Sequence, residues 1–271
     1  MSGVTAVDRE GTGAAAMSRI GTVYRWDLLL GLHNRFVQVF ALACLAGGTV
    51  LAVTATGHEL VTLALFQTLL FFGSLFAFLI GWASGQRSRE QGAFLFAQPL
   101  GSLEIVAGKL LGTGTWCLLL LALFMVPAAV GSGSPTTILV LGALSFGFML
   151  VYVLGGLLIG FIASPASGLL AVLLAWAVSV AGWELGLLVL GSTNWMQASP
   201  GLFVALLLLN PAGAFRIAAL IGLDAIPFDA AELETGRIIF ENILPFTAMV
   251  FGAWLVVLTA LASWLLGRQQ Y

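Results

Sequence analysis

Long apolar runs separated by short polar breaks dominate this chain, and the runs have lengths that match a bilayer. A helix rising 1.5 Å per residue needs about 20 apolar residues to cross roughly 30 Å of hydrocarbon. Six stretches meet that length, at about 36–56, 61–83, 105–130, 137–162, 168–191 and 243–266. Each is free of charge or nearly so. The breaks carry turn chemistry or charge: Gly57-His58-Glu59, residues 84–104, residues 131–135, Ser164-Pro165 and residues 192–200. Backbone groups in lipid must be satisfied within their own helix, so the pattern predicts six transmembrane helices.

Two further apolar segments are too short to span. Residues 18–35 mix Ile20, Val23, Tyr24, Trp26, Leu28, Leu29 and Leu32 with Arg19, Arg25 and Arg35. An aromatic and aliphatic face with basic neighbours predicts a helix lying in the membrane interface. The second, residues 201–209, stops at Asn210-Pro211 and resumes as AGAFRIAALIGL. Proline biases the residue before it away from helical geometry. Two short helices meeting at a break are therefore predicted, a re-entrant hairpin just before the last span. Residues 1–17 lack an apolar core and predict a disordered leader, with Met17 as an alternative start; residues 224–241 predict an exposed acidic loop.

Composition narrows the class. The 271 residues are 60% hydrophobic and only 8% charged, with a mean hydropathy of +1.07. Soluble domains carry about 25% charged residues to keep their surface hydrated, so most of this exterior must face lipid. The net charge of −2 decides nothing; orientation follows the placement of Lys and Arg. With the N-terminus inside, Arg9, Arg19, Arg25, Arg35, Arg87, Arg89, Lys109 and Arg268 are cytoplasmic, leaving only Arg216 and Arg237 outside. Glu59, Asp224, Asp229, Glu232, Glu234 and Glu241 then gather on the outer side. The expectation is a cell-membrane protein with both termini cytoplasmic. Cys44 and Cys117, far apart in separate apolar runs, predict reduced core residues.

No stretch fits the glycine-rich loop that cradles nucleotide phosphates: Gly108-Lys109 is followed by Leu110 and lacks the upstream glycine. HExxH, paired CxxC and GxSxG are also missing, so neither cofactor nor hydrolytic chemistry has visible residues. The richest segment is 86–112, QRSREQGAFLFAQPLGSLEIVAGKLLG, between the second and third spans. It reads as a short amphipathic element, a Pro99-Leu100 turn and a helix entering the membrane at Lys109. By itself it is equally a plain basic inner loop.

This segment resembles the signature of ABC-2-type ABC transporter permeases. There, a cytoplasmic Glu-x-Gly precedes a Leu-rich helical turn, then Pro-Leu, an acidic-aliphatic pair and Gly-Lys. Those elements stand here as Glu90-Gln91-Gly92, Phe94-Leu95-Phe96, Pro99-Leu100, Glu104-Ile105 and Gly108-Lys109. The usual Thr after Glu-x-Gly is Ala93, and the usual Arg after Pro-Leu is replaced by Gly101-Ser102-Leu103. An interfacial helix ending in Asn34-Arg35 resembles the family's elbow helix. The stretch LLLLNPAGAFRIAAL (206–220) resembles NosY-type permeases, the membrane subunits of nitrous oxide reductase maturation transporters.

Over residues 18–271 the resemblance implies an all-α polytopic fold of the ABC-2 permease type, with six spans, an elbow helix and a re-entrant hairpin. It implies a subunit without its own ATPase, paired with a cytoplasmic ABC ATPase and a second copy of itself. The NosY-type likeness adds an extracytoplasmic repeat protein and a role in copper-enzyme maturation. Arg87, Arg89, Glu90, Gly92, Pro99, Leu100, Glu104, Gly108 and Lys109 would form the coupling surface, by rim contacts that set partner choice. A general exporter of drugs, lipids or glycans is the alternative, and a non-transporting anchor is a third class. Nothing points to nucleic acid.

Glu184, in Gly182-Trp183-Glu184-Leu185-Gly186, is the only acid inside a predicted span. A mid-membrane charge costs about 2.5–3.5 kcal/mol on insertion scales, so it must face protein or water. It reads either as a substrate-path or dimer-interface carboxylate, or as an acid protonated or bonded to backbone. The flanking glycines offer a surface for close helix approach. Asn210, Pro211 and Arg216 mark the re-entrant break. His58-Glu59 with Met125 and Met196 offers soft and imidazole ligands but no ligand spacing, so no metal site is assigned.

Overall fold

The structure is a computed structural model, and it describes residues 7–54, 58–90, 100–132, 135–193, 200–222 and 242–269. All regular structure among them is helical. In chain order the elements are α1 (Val7–Leu32), α2 (Arg35–Thr54), α3 (His58–Thr68), α4 (Ser74–Glu90), α5 (Ser102–Ser132), α6 (Pro135–Ile162), α7 (Pro165–Ala177), α8 (Trp183–Gly191), α9 (Pro200–Leu209), α10 (Pro211–Gly222) and α11 (Ile243–Gln269). Single π-helical turns, Leu69–Gly73 and Val178–Gly182, join α3 to α4 and α7 to α8.

Among the described residues, six helical stretches are long and apolar enough to cross a membrane: Arg35–Thr54, Leu60–Glu90, Ser102–Val130, Thr136–Ile162, Pro165–Gly191 and Ile243–Arg268. They reproduce the six predicted runs, extended by a few residues where polar helix ends continue past the apolar core. This is the architecture of a multi-pass α-helical membrane protein. The broken pair also stands where Asn210-Pro211 places it, with Gly201–Leu209 and Pro211–Leu220 bent by 108°. The α1 helix begins at Val7, ahead of residue 18, so the backbone of 7–17 is helical; residues 1–6 lie outside what is described. Ala14-Ala15-Ala16, strong helix formers, lie in that extension. The acidic residues of 224–241 and the His58 and Glu59 side chains lie outside what is described.

The centre of the bundle is the crossing of α4 over α6, the most extensive helix pair in the chain. Four glycines at helical spacing make it: Gly81 and Gly85 on α4, Gly156 and Gly160 on α6. A methyl at Gly81 would strike the Val153 carbonyl, one at Gly156 the Phe78 carbonyl, and one at Gly85 would come 2.6 Å from the Leu157 carbonyl. Lipid supplies little drive for apolar surfaces to meet, so close backbone approach is what joins membrane helices. Phe148 of α6 sits in the same core, stacked on Phe215 of α10 at 4.4 Å and edge-on to Tyr152 at 4.8 Å.

Cys44 and Cys117 are buried free thiols, as expected. By contrast, among the described residues the flanking glycines of Glu184 make no close contact with another helix: Gly186 faces open space, and Gly182 is near atoms of its own helix.

Candidate functional site

Two buried polar clusters interrupt the apolar interior, near opposite ends of the bundle. The first joins α1, α4 and α5. Gly108 and Gly112 of α5 leave no side chain between that helix and α1: a methyl at Gly108 would lie 2.6 Å from Val23, and one at Gly112 3.0 Å from Asp27. Gly31 of α1 in turn leaves room for the Trp116 indole, whose N–H donates to the Leu28 carbonyl at 2.9 Å. This approach carries Asp27 into the protein, where it is 1% exposed.

Two groups converge on that carboxylate. Ser84 Oγ donates to Asp27 Oδ1 at 2.7 Å, and Lys109 Nζ reaches the same oxygen at 3.2 Å. Lys109 also donates to the Ser84 carbonyl and Oγ, each at 3.2 Å, so its ammonium has three oxygens around it. One helical turn further along α4, Arg87 Nη1 donates to the Leu30 carbonyl at the end of α1, at 3.0 Å. Asp27 Oδ2 and Arg87 Nε are buried without a partner. Buried ions persist where a counter-ion and hydrogen bonds replace lost water; here Asp27 is the counter-ion of Lys109, and Ser84 supplies hydrogen bonds to both.

Two residues of the expected coupling surface lie in this cluster: Lys109 is 3% exposed and ion-paired, and Gly108 is packed under Val23. Asp27 was passed over because it sits among basic and aromatic residues in a segment that reads as interfacial. A single acid on the face of α1 that also carries Tyr24 and Gly31 was the available signal. Asn34 and Gln38 complete the elbow: Asn34 Oδ1 accepts from Phe36 N at 3.0 Å, and Gln38 Nε2 donates to the Leu32 carbonyl at 2.9 Å.

The other loop residues divide between internal bonds and exposed positions. Arg89 Nη1 donates to the Ala163 carbonyl at 2.7 Å, holding the ends of α4 and α6 together. Glu104 accepts from Gly101 N at 2.9 Å, the pattern of an N-terminal helix cap, and lies 3.8 Å from Arg19. Leu100 is half-buried and Glu90 is exposed at the end of α4. Gly92 and Pro99 lie outside the described residues.

The second cluster fixes the hairpin α9–α10. Arg216 of α10 is ion-paired with Glu184 of α8, the two side chains being 28% and 21% exposed. Neither reading of Glu184 anticipated that partner, because Arg216 was assigned to the outer aqueous side. Glu184 Oε1 and Arg216 Nε remain buried and unpartnered. At the break, Asn210 Nδ2 donates to the Ser179 carbonyl at 2.6 Å and its Oδ1 accepts from Ala212 N at 3.1 Å. That carbonyl belongs to the second π turn, a device that frees backbone groups at functional positions. The last carbonyls of α9 are met by indoles: Trp183 Nε1 donates to Leu206 O at 3.1 Å, and Trp254 Nε1 to Leu209 O at 2.8 Å. A broken helix inside a membrane is tolerated when such partners restore its free backbone groups.

No group of three or more His, Cys, Asp or Glu able to hold a metal ion occurs among the described residues. Met125, one of the soft ligands weighed above, is buried in the apolar core. No protein-family model and no curated protein matches this chain.

Proposed function

We propose that this chain is the membrane subunit of an ABC transporter of the ABC-2 permease class, driven by a separate cytoplasmic ATPase. The observation that carries the reading is the fastening of α1 to the adjoining ends of the second and third spans. Asp27, Ser84, Lys109 and Arg87 tie the three into one body, from which the segment 91–99 emerges. A loop pushed from the cytoplasm moves helices only if its roots are stiff, and a buried ion pair flanked by glycine contacts supplies that stiffness. In sequence, Glu90-Gln91-Gly92 and Pro99-Leu100 bracket that segment, and Glu104-Ile105 lies in the first turn of α5. At the other end, the pinned hairpin supports the NosY-type reading, in which ATP-derived motion or cargo is passed to an extracytoplasmic metalloenzyme-maturation partner.

Orientation with both termini inside is part of this proposal. Setting aside Lys109 and Arg216 as internal, the remaining Lys and Arg still divide seven to one in its favour.

The test is co-purification. Tagged chain extracted from its native membrane is expected to carry vanadate-sensitive ATP hydrolysis, supplied by a bound second protein. Glu90→Arg, at an exposed position, is expected to release that protein without lowering the thermal stability of the chain. A preparation with no nucleotide-hydrolysing partner, or one that keeps it after loop charges are reversed, rejects the permease assignment. Neutralising Arg87 or Arg89 is the poorer probe, because both hold backbone carbonyls inside the protein.

A further inference from the structure

A half-open groove of about 480 Å³ lies beneath the hairpin break. Its floor is Phe78 of α4 with Tyr152 and Gly155 of α6, its roof is the Leu209–Pro211 turn, and Trp254 of α11 forms one side. We propose that this groove binds one acyl chain of a bilayer phospholipid and seats it against the hairpin. The proposal does not rest on the permease reading.

Three observations select that ligand. First, the polar groups of the lining already have partners within the protein. Tyr152 and Ser179 share a hydrogen bond of 3.1 Å, and Ser179 Oγ also donates to the Trp176 carbonyl at 3.1 Å. Both ends of the Asn210 amide are engaged, and the Trp183 and Trp254 N–H groups are spent on α9 carbonyls. What remains facing the groove is carbon, so a polar ligand would lose its own hydrogen bonds on entry.

Second, the mouth opens on the lipid-facing exterior. Val178 and Leu209, which line it, are 62% and 55% exposed in a surface otherwise built from Leu170, Leu174 and Leu188. Tyr152 stands ten residues before the end of α6, or about 15 Å at helical rise, near the middle of a hydrocarbon layer about 30 Å thick. At that depth the surrounding medium is acyl chain.

Third, the size and shape fit a chain rather than a helix. A cavity of this volume lined by carbon does not hold water and is filled by hydrocarbon when hydrocarbon is at hand. A helix about 10 Å across with its side chains fills about 420 Å³ per turn, so the groove has room for little more than one turn of a second copy. A single aliphatic chain lies along such a groove and touches the Leu209–Pro211 turn, so the lipid becomes part of what positions the break.

Photolabelling tests this directly. Full-length protein is reconstituted in phosphatidylcholine vesicles containing a phosphatidylcholine with a diazirine at mid-chain, illuminated, and mapped by peptide mass spectrometry. Labelling of α7–α8 and α11 at the groove is expected to exceed, several-fold, labelling of the equally lipid-exposed α2 residues Leu42, Val50 and Val53. Val178→Trp at the mouth and Ala175→Phe inside should each bring groove labelling down to the α2 level, while thermal stability shows that the variants stay folded. Groove labelling no stronger than that of α2, or unchanged in the two variants, overturns the proposal. So does efficient disulfide formation between Val178→Cys copies with no lipid adduct, which would make a second protomer the occupant.

Discussion

The Asp27–Lys109 pair offers the sharpest test of how α1 is held. At 3.2 Å, and with an effective dielectric of about 20, the gross attraction is about 5 kcal/mol. Much of this offsets the cost of stripping water from both ions, so the pair as a whole stabilises far less than that figure. Breaking it is a different matter. Asp27→Asn keeps the shape and the oxygen that Ser84 and Lys109 share, but leaves the buried Lys109 ammonium without a counter-ion. Orphaning a buried ion costs about 3–5 kcal/mol. For a chain of this size, 3 kcal/mol corresponds to roughly 6–12 °C in unfolding temperature. Replacing both ions with apolar residues of similar volume, Asp27→Leu with Lys109→Met, removes the orphan and should recover most of the loss. The assay is thermal unfolding in detergent micelles, followed by tryptophan emission, for wild type, each single variant and the double variant. Equal unfolding temperatures for wild type and Asp27→Asn, or a double variant as unstable as the sum of the singles, would refute the counter-ion account.

Three other outcomes follow from the same geometry. Gly156→Leu should prevent α4 from meeting α6, because the Phe78 carbonyl lies where the side chain would start; overpacking costs about 1–3 kcal/mol or more, and size-exclusion chromatography should show loss of the monodisperse species. For Glu184 and Arg216, a double-mutant cycle with Glu184→Gln and Arg216→Gln should give a coupling of about 1–3 kcal/mol, and the charge-swapped pair should be more stable than either single reversal; additive effects would mean that the two do not interact. Asn210→Leu removes the bond to the Ser179 carbonyl, worth about 1 kcal/mol, and should speed amide hydrogen exchange in α9 and α10 while leaving α4 and α6 unchanged.

The part of this fold that can be read along the chain is one-dimensional. Each span is a run of about 20 apolar residues, and run length needs no knowledge of neighbours, so all six were legible to within a few residues. The hairpin break was legible for the same reason: Asn210-Pro211 interrupts a helix whatever surrounds it. The elbow at Asn34 is likewise a local capping event. The tertiary structure alone decided which polar residues meet. Asp27 and Lys109 are 82 residues apart and Glu184 and Arg216 are 32 apart, and nothing in the spacing of either pair announces contact. Their pairing depends on how each helix is rotated about its axis and how closely its neighbour approaches. Glycines set that approach, and the spacing of four positions from Gly81 to Gly85 or from Gly156 to Gly160 does not say which helix lies opposite. Gly182 and Gly186 have the same spacing and meet no other helix among the described residues. In a membrane the sequence can say where the chain crosses, because lipid tests each run separately. Which charges are neutralised is settled between helices, where a buried ion is tolerated only if another span brings its partner.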